Sequence, residues 1–143
     1  VPKRANSEII VVVDDEPVAL EFCSSVLRVA GYTVWSASSG KQALAYFKNS
    51  HSPVALALID IVMPEMNGIE LIKQLRKLHP PGRIILMSGY APDEVKKLVG
   101  TEAAHFRSIW KPFPAETLLR LIRNVLDAPA SGGESRGQAA AER

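Results

Sequence analysis

Five residues in this sequence could do chemistry together. Asp14 and Asp15 follow the β-branched run Ile9-Ile10-Val11-Val12-Val13, and Asp60 closes the apolar run Val54-Ala55-Leu56-Ala57-Leu58-Ile59. Ser88 follows Arg83-Ile84-Ile85-Leu86-Met87, and Lys111 follows the weaker run Arg107-Ser108-Ile109-Trp110. Each stands just past a segment whose continuous apolar or β-branched character reads as a buried strand. If those strands are parallel neighbours, their carboxyl ends share one edge, and three carboxylates, one hydroxyl and one ammonium converge there. Like charges crowded in this way are costly without a counter-ion. A divalent cation relieves them, and a donor set made only of oxygens suits Mg2+, which takes one or two carboxylates and keeps several waters. Taken singly, each residue has a plainer reading. Asp14 and Asp15 could cap a helix, Ser88 could start a turn, Lys111 could be a solvated lysine, and Asp60 could bond nearby loop amides. The shared position after a strand favours the joint reading.

The elements that must position these residues alternate along the chain. After the first strand, Pro17 opens a helix in which Val18, Phe22, Val26 and Ala30 recur at four-residue spacing until Gly31. Thr33 to Ala37 reads as a second strand, Ser38-Ser39-Gly40 as a turn, and Ala43, Leu44 and Phe47 as one face of a second helix. Pro64 and Gly68 place a loop after the third strand. Ile69, Ile72, Leu75 and Leu78 place a third helix, closed by Pro80-Pro81-Gly82. A short fourth helix is expected from about Pro92 to Gly100, and a fifth from about Ala115 to Asp127 with Leu118, Leu121, Ile122 and Val125 inward. The weaker fifth strand belongs at a sheet edge. Five strands alternating with five helices predict an α/β fold: a doubly wound, five-stranded parallel sheet in the order 2-1-3-4-5, covered on both faces. Residues 1–7 read as a loose N-terminus, 8–127 as one domain, and 128–143, rich in Gly, Ala and Ser, as a disordered tail or linker.

Composition bounds the rest. The 143 residues suit one domain, and 47% hydrophobic with 22% charged residues is ordinary for a globular protein. A net charge of +2 gives no argument for direct binding to nucleic acid or to an anionic membrane. The single cysteine, Cys23, excludes an internal disulfide and falls in an apolar helical pattern, so it reads as a small core residue. No apolar run is long enough to cross a bilayer and no secretory leader is visible, so the chain is expected in the cytoplasm. The first residue is Val1, and the chain reads as either a stand-alone domain or a piece of something longer.

Asp14-Asp15, the segment Asp60-Ile61-Val62-Met63-Pro64-Glu65-Met66-Asn67-Gly68, Ser88-Gly89 and Lys111-Pro112-Phe113 together resemble the receiver domain of bacterial two-component response regulators, over about residues 8 to 127. Ser88-Gly89-Tyr90 before a short polar helix is similar to receivers of hybrid sensor kinases. The resemblance implies a flavodoxin-like fold and a phosphorelay switch rather than a substrate-converting enzyme. It implies that Asp60 accepts a phosphoryl group from a phosphohistidine of a histidine kinase or a histidine phosphotransfer domain. It implies Mg2+ held by Asp15, Asp60 and the backbone carbonyl of Val62, with Asp14 acting through a coordinated water. Ser88 and Lys111 would contact the phosphoryl oxygens, and the Lys111–Pro112 bond would be cis. An output partner, or a second copy, would bind through the fourth helix, fifth strand and fifth helix.

The sequence departs from the family three residues before the lysine, where receivers commonly carry a tyrosine or phenylalanine and this chain has Ser108. Trp110 either packs in the core or substitutes in part for that aromatic; its fluorescence is then expected to respond to Mg2+ or phosphorylation. Val62 and Tyr90 flank the expected path of a hydrolytic water, which predicts a long-lived phosphoaspartate. His51, His79 and His105 read as surface residues. Three other classes fit less well. A haloacid-dehalogenase-type phosphohydrolase needs an acid where Val62 stands. A flavodoxin-type cofactor binder needs a phosphate-cradling loop where the acidic Asp14-Asp15 pair lies. A degenerate docking module would not need the full set of acids, serine and lysine.

Overall fold

The computed structural model describes residues 8–129. The expected loose N-terminus at 1–7 and the tail from 130 onward lie outside the described residues. Runs that alternate strictly in side-chain direction but are apolar throughout can bury both faces, and the chain uses them so. The strands are β1 (Ile9–Val13), β2 (Thr33–Ala37), β3 (Leu56–Asp60), β4 (Arg83–Ser88) and β5 (Arg107–Trp110). The helices are α1 (Pro17–Val29), α2 (Gly40–Asn49), α3 (Gly68–Leu75), α4 (Pro92–Val99) and α5 (Ala115–Asp127). The sheet order is β2-β1-β3-β4-β5 and every pairing is parallel, as expected, with β5 at an edge.

Two cores result. Ile10, Val12, Leu56, Leu58, Ile85 and Met87 face α1 and α5, where they meet Cys23, Leu27, Leu118 and Ile122. Val11, Val13, Ala57, Ile59 and Leu86 face the opposite side, against Phe47, Ile69, Ile72 and Val95. Each fully buried large aliphatic contributes about 1.5–3 kcal/mol relative to exposure, so both cores hold the sheet rigid beneath its loops. The expected inward residues of α5 are all buried, and Cys23 is a core residue whose thiol burial pushes up to about 12.

Two expectations need correction. The apolar stripe chosen for α1 points partly outward: Val18 is 83% exposed and Phe22 39%. Four-residue spacing drifts by about 40° per step on a helix of 3.6 residues per turn, so the stripe leaves the packed face. The face that packs carries Cys23, Ser24 and Leu27, and Ser24 is satisfied by a 2.7 Å hydrogen bond with Ser36 of β2. Helix α3 ends at Leu75 rather than near Leu78; Lys77 and Leu78 N–H groups bond the carbonyls of Gln74 and Leu75, a tighter three-residue winding. A 3-10 turn at Glu102–His105 precedes β5.

Candidate functional site

The register pairs Val13 with Ile59 and Asp60 with Met87, so the ends of β1, β3 and β4 finish side by side. One carboxylate oxygen from each of Asp14, Asp15 and Asp60 lies within 4.8 Å of the others. Asp14 is fully buried and Asp60 is 5% exposed, while Asp15 is half-buried and opens the cluster to solvent. Lys111 Nζ, reaching in from the end of β5, lies 2.8 Å from Asp14 Oδ2 and 3.5 Å from Asp60 Oδ2. It also lies 3.4 Å from Glu16 Oε1, a partner the sequence reading did not name. Burial raises the Asp60 carboxyl well above the usual carboxylate range; Lys111 opposes this and Asp14 and Asp15 reinforce it. Burial works against the Lys111 ammonium, but contact with Asp14 and the charges of Asp60 and Glu16 outweigh it and hold the lysine charged.

Asp14 does two things. Its Oδ1 accepts the Glu16 N–H at 2.9 Å, which is the helix-entry role of the plainer reading. Its Oδ2 is buried and receives no hydrogen bond of acceptable angle. The 2.8 Å approach of Lys111 is therefore a charge contact rather than an aligned hydrogen bond. A buried carboxylate oxygen without an aligned donor, beside two more carboxylates, fits a hard, oxygen-preferring divalent cation such as Mg2+.

The loop after β3 is built to stay close to Asp60. A Cβ on Gly68 would lie 2.7 Å from the Asp60 carbonyl oxygen and 3.0 Å from Ile61 Cα, so only glycine fits. The Gly68 N–H bonds the Ile61 carbonyl, and Asn67 and Glu70 form a reciprocal capping box that starts α3. Val62, two residues past Asp60, lies half-buried in this loop. The Lys111–Pro112 bond is cis.

Ser88 ends β4 and is fully buried. Its Oγ donates to the Tyr90 carbonyl at 3.0 Å and accepts the Tyr90 N–H at 2.9 Å, the local turn its plainer reading foresaw. Trp110 is half-buried rather than packed in the core, and its indole N–H donates to the same Tyr90 carbonyl at 2.9 Å. Ser108 is buried with Phe106 nearby in the core, so no aromatic stands at the position receivers commonly give one. His51, His79 and His105 are exposed, as expected. A separate concavity of about 510 Å³ opens at the amino edge of the sheet beside Phe47, His51 and His79, away from the acidic cluster.

A doubly wound sheet with three carboxylates and a lysine converging at its carboxyl edge has its site where open α/β sheets bind their ligands. A family model described as the response regulator receiver domain matches residues 10–123. Among curated relatives, the sensor kinase CckA of Brucella abortus is 33% identical over 123 residues, 86% of this chain and 13% of that protein. The transcriptional regulatory protein AruR of Pseudomonas aeruginosa is 38% identical over 134 residues, covering 89% of this chain and 54% of the relative. A CheY-like receiver domain from Methanospirillum hungatei has a TM-score of 0.68 at 32% identity, over 85% of this chain and 94% of that one. The chain belongs to the response regulator receiver domain family of two-component signalling. It spans about half, or much less, of the length of these curated relatives.

Proposed function

We propose that Asp60 is the phosphoacceptor and that the donor is a phosphohistidine on a partner histidine kinase or histidine phosphotransfer domain. The observation that carries this is the Asp60 carboxylate at the end of the central strand, facing Asp14 and Asp15 with the Lys111 ammonium 3.5 Å away. A carboxylate oxygen of Asp60 attacks phosphorus, the P–N bond breaks, and its electron pair leaves with the donor imidazole. No oxidant or reductant is needed. Asp14, Asp15, Asp60 and the main-chain carbonyl of Val62 are the groups that would hold Mg2+. When bound there, the ion offsets charge on the phosphoryl oxygens. Lys111 sits where its ammonium reaches those oxygens, and Ser88 supplies a hydroxyl at the same edge.

The switch is read, on this proposal, at the surface of α4, β5 and α5, by an output partner or by a second copy. The relatives carry receivers both in a sensor kinase and in transcriptional regulators, and a place in a cytoplasmic phosphorelay suits this chain. Among the described residues no helix is long and apolar enough to cross a membrane. The test is incubation with acetyl phosphate and Mg2+, followed by intact mass of the wild type and Asp60→Asn. A phosphate-sized gain in wild type alone is expected; a gain that persists in Asp60→Asn places the acceptor elsewhere.

A further inference from the structure

We infer that Trp110 is a positioning residue that frees the Ser88 hydroxyl for the phosphoryl group by keeping the Tyr90 carbonyl satisfied. The inference rests on the phosphoacceptor reading of Asp60. In the structure the Ser88 hydroxyl proton goes to the Tyr90 carbonyl and one of its lone pairs takes the Tyr90 N–H. To donate to a phosphoryl oxygen on Asp60, Ser88 must turn its proton away from that carbonyl. A carbonyl that gives up its hydroxyl donor loses about one ordinary hydrogen bond, and a second donor already in place limits that loss. Here the carbonyl has a second donor, the Trp110 indole N–H at 2.9 Å. Both lone pairs of the oxygen are used in the resting state, and one remains used after Ser88 departs.

The placement is built into the sheet. Ser88 and Trp110 are register partners on β4 and β5, and the Lys111 N–H bonds the Ser88 carbonyl at 2.8 Å. Trp110 therefore stands beside the serine, with Lys111 of the acidic cluster next in the chain. The position three residues before Lys111 holds the small, buried Ser108, and the aromatic that shares an acceptor with Ser88 is the residue adjoining the lysine. The indole side chain senses the serine through a main-chain oxygen rather than by filling space the serine vacates.

The test uses beryllium fluoride as a phosphoryl mimic, titrated calorimetrically in saturating Mg2+. Trp110→Phe removes the donor and keeps an aromatic ring. It is expected to weaken beryllium fluoride binding about fivefold, the equivalent of one hydrogen bond. In a Ser88→Ala background, where no hydroxyl has to be released, Trp110→Phe is expected to add no further loss. An equal loss in both backgrounds assigns Trp110 to general packing and overturns the inference, as does no loss in either. A second measurement needs no change at Trp110. The indole 15N–1H resonance of Trp110 should shift on beryllium fluoride addition in the wild type and stay in place in Ser88→Ala; a shift of the same size in both overturns it. Wild-type protein that binds no beryllium fluoride removes the phosphoacceptor reading itself, which separates the two failures.

Discussion

Val62 stands two residues past Asp60 and Tyr90 two past Ser88; both are bulky, and Val62 offers no polar side chain to orient a water at Asp60. Val62 is apolar and half-buried; Tyr90 is 43% exposed. Hydrolysis of an aspartyl phosphate needs an in-line water, and a polar side chain at position 62 would hold one. Val62→Asn is therefore expected to speed dephosphorylation by about fivefold, the rate equivalent of one hydrogen bond worth about 1 kcal/mol. Tyr90→Ala should act in the same direction by opening the approach, while its main chain still serves Ser88 and Trp110. Loss of the phosphate-sized mass after removal of acetyl phosphate measures both rates, and unchanged rates in both variants would sink the idea. At this scale most of the geometry was legible because each reactive side chain follows a strand-forming run. What the sequence did not display was the Tyr90 carbonyl as a shared acceptor, since a main-chain oxygen leaves no mark on residue type. Glu16 was also passed over: it reads as a helix-start acid, and only the reach of Lys111 across the edge makes it a partner.

Elements differ in how firmly they are held, and that difference decides which of them can move. Helix α3 buries Ile69, Leu71, Ile72 and Leu75, whereas α4 buries Val95 alone. A helix fixed by one buried side chain opens at low free energy. Amide hydrogen exchange is expected to be faster in α4 than in α3, and to change in α4 on phosphorylation; equal protection in both helices would contradict this. The loop between β3 and α3 has the opposite character. Gly68→Ala sets a methyl 2.7 Å from the Asp60 carbonyl oxygen, against backbone that cannot turn aside. The variant should lose about 1–3 kcal/mol of stability, the usual cost of overpacking, and should phosphorylate more slowly, as read by urea denaturation and intact mass. Strands and α5 were readable because their apolar periods match their packing. The α1 stripe was misread because Val18 and Phe22 are apolar yet exposed, and pattern alone does not say which apolar residues a helix turns to solvent. The 3-10 turn at Glu102–His105 is too short to show any period.

For the molecule as a whole, the acidic cluster works against folding in the absence of a cation. Burial raises the Asp60 carboxyl, Lys111 opposes the rise, and Asp14 and Asp15 add to it, bringing it up to about 7. The folded state then keeps a proton that the unfolded chain releases near pH 4. Between about pH 4 and pH 7 the folded state binds more protons than the unfolded one, so stability falls as pH rises through that window. Asp60→Asn has no proton to lose there. In EDTA at pH 7.5 the variant is expected to be more stable than the wild type by about 1–3 kcal/mol, with the gap closing toward pH 4. Saturating Mg2+ should then favour the wild type, because a ligand held at 100 times its Kd stabilises the state that binds it by about 2.7 kcal/mol. Urea denaturation across pH, with EDTA and then with Mg2+, measures all three effects. If Asp60→Asn is no more stable than the wild type at pH 7.5 without metal, the buried carboxylates are not in conflict, and the need for a cation at this edge loses its physical basis.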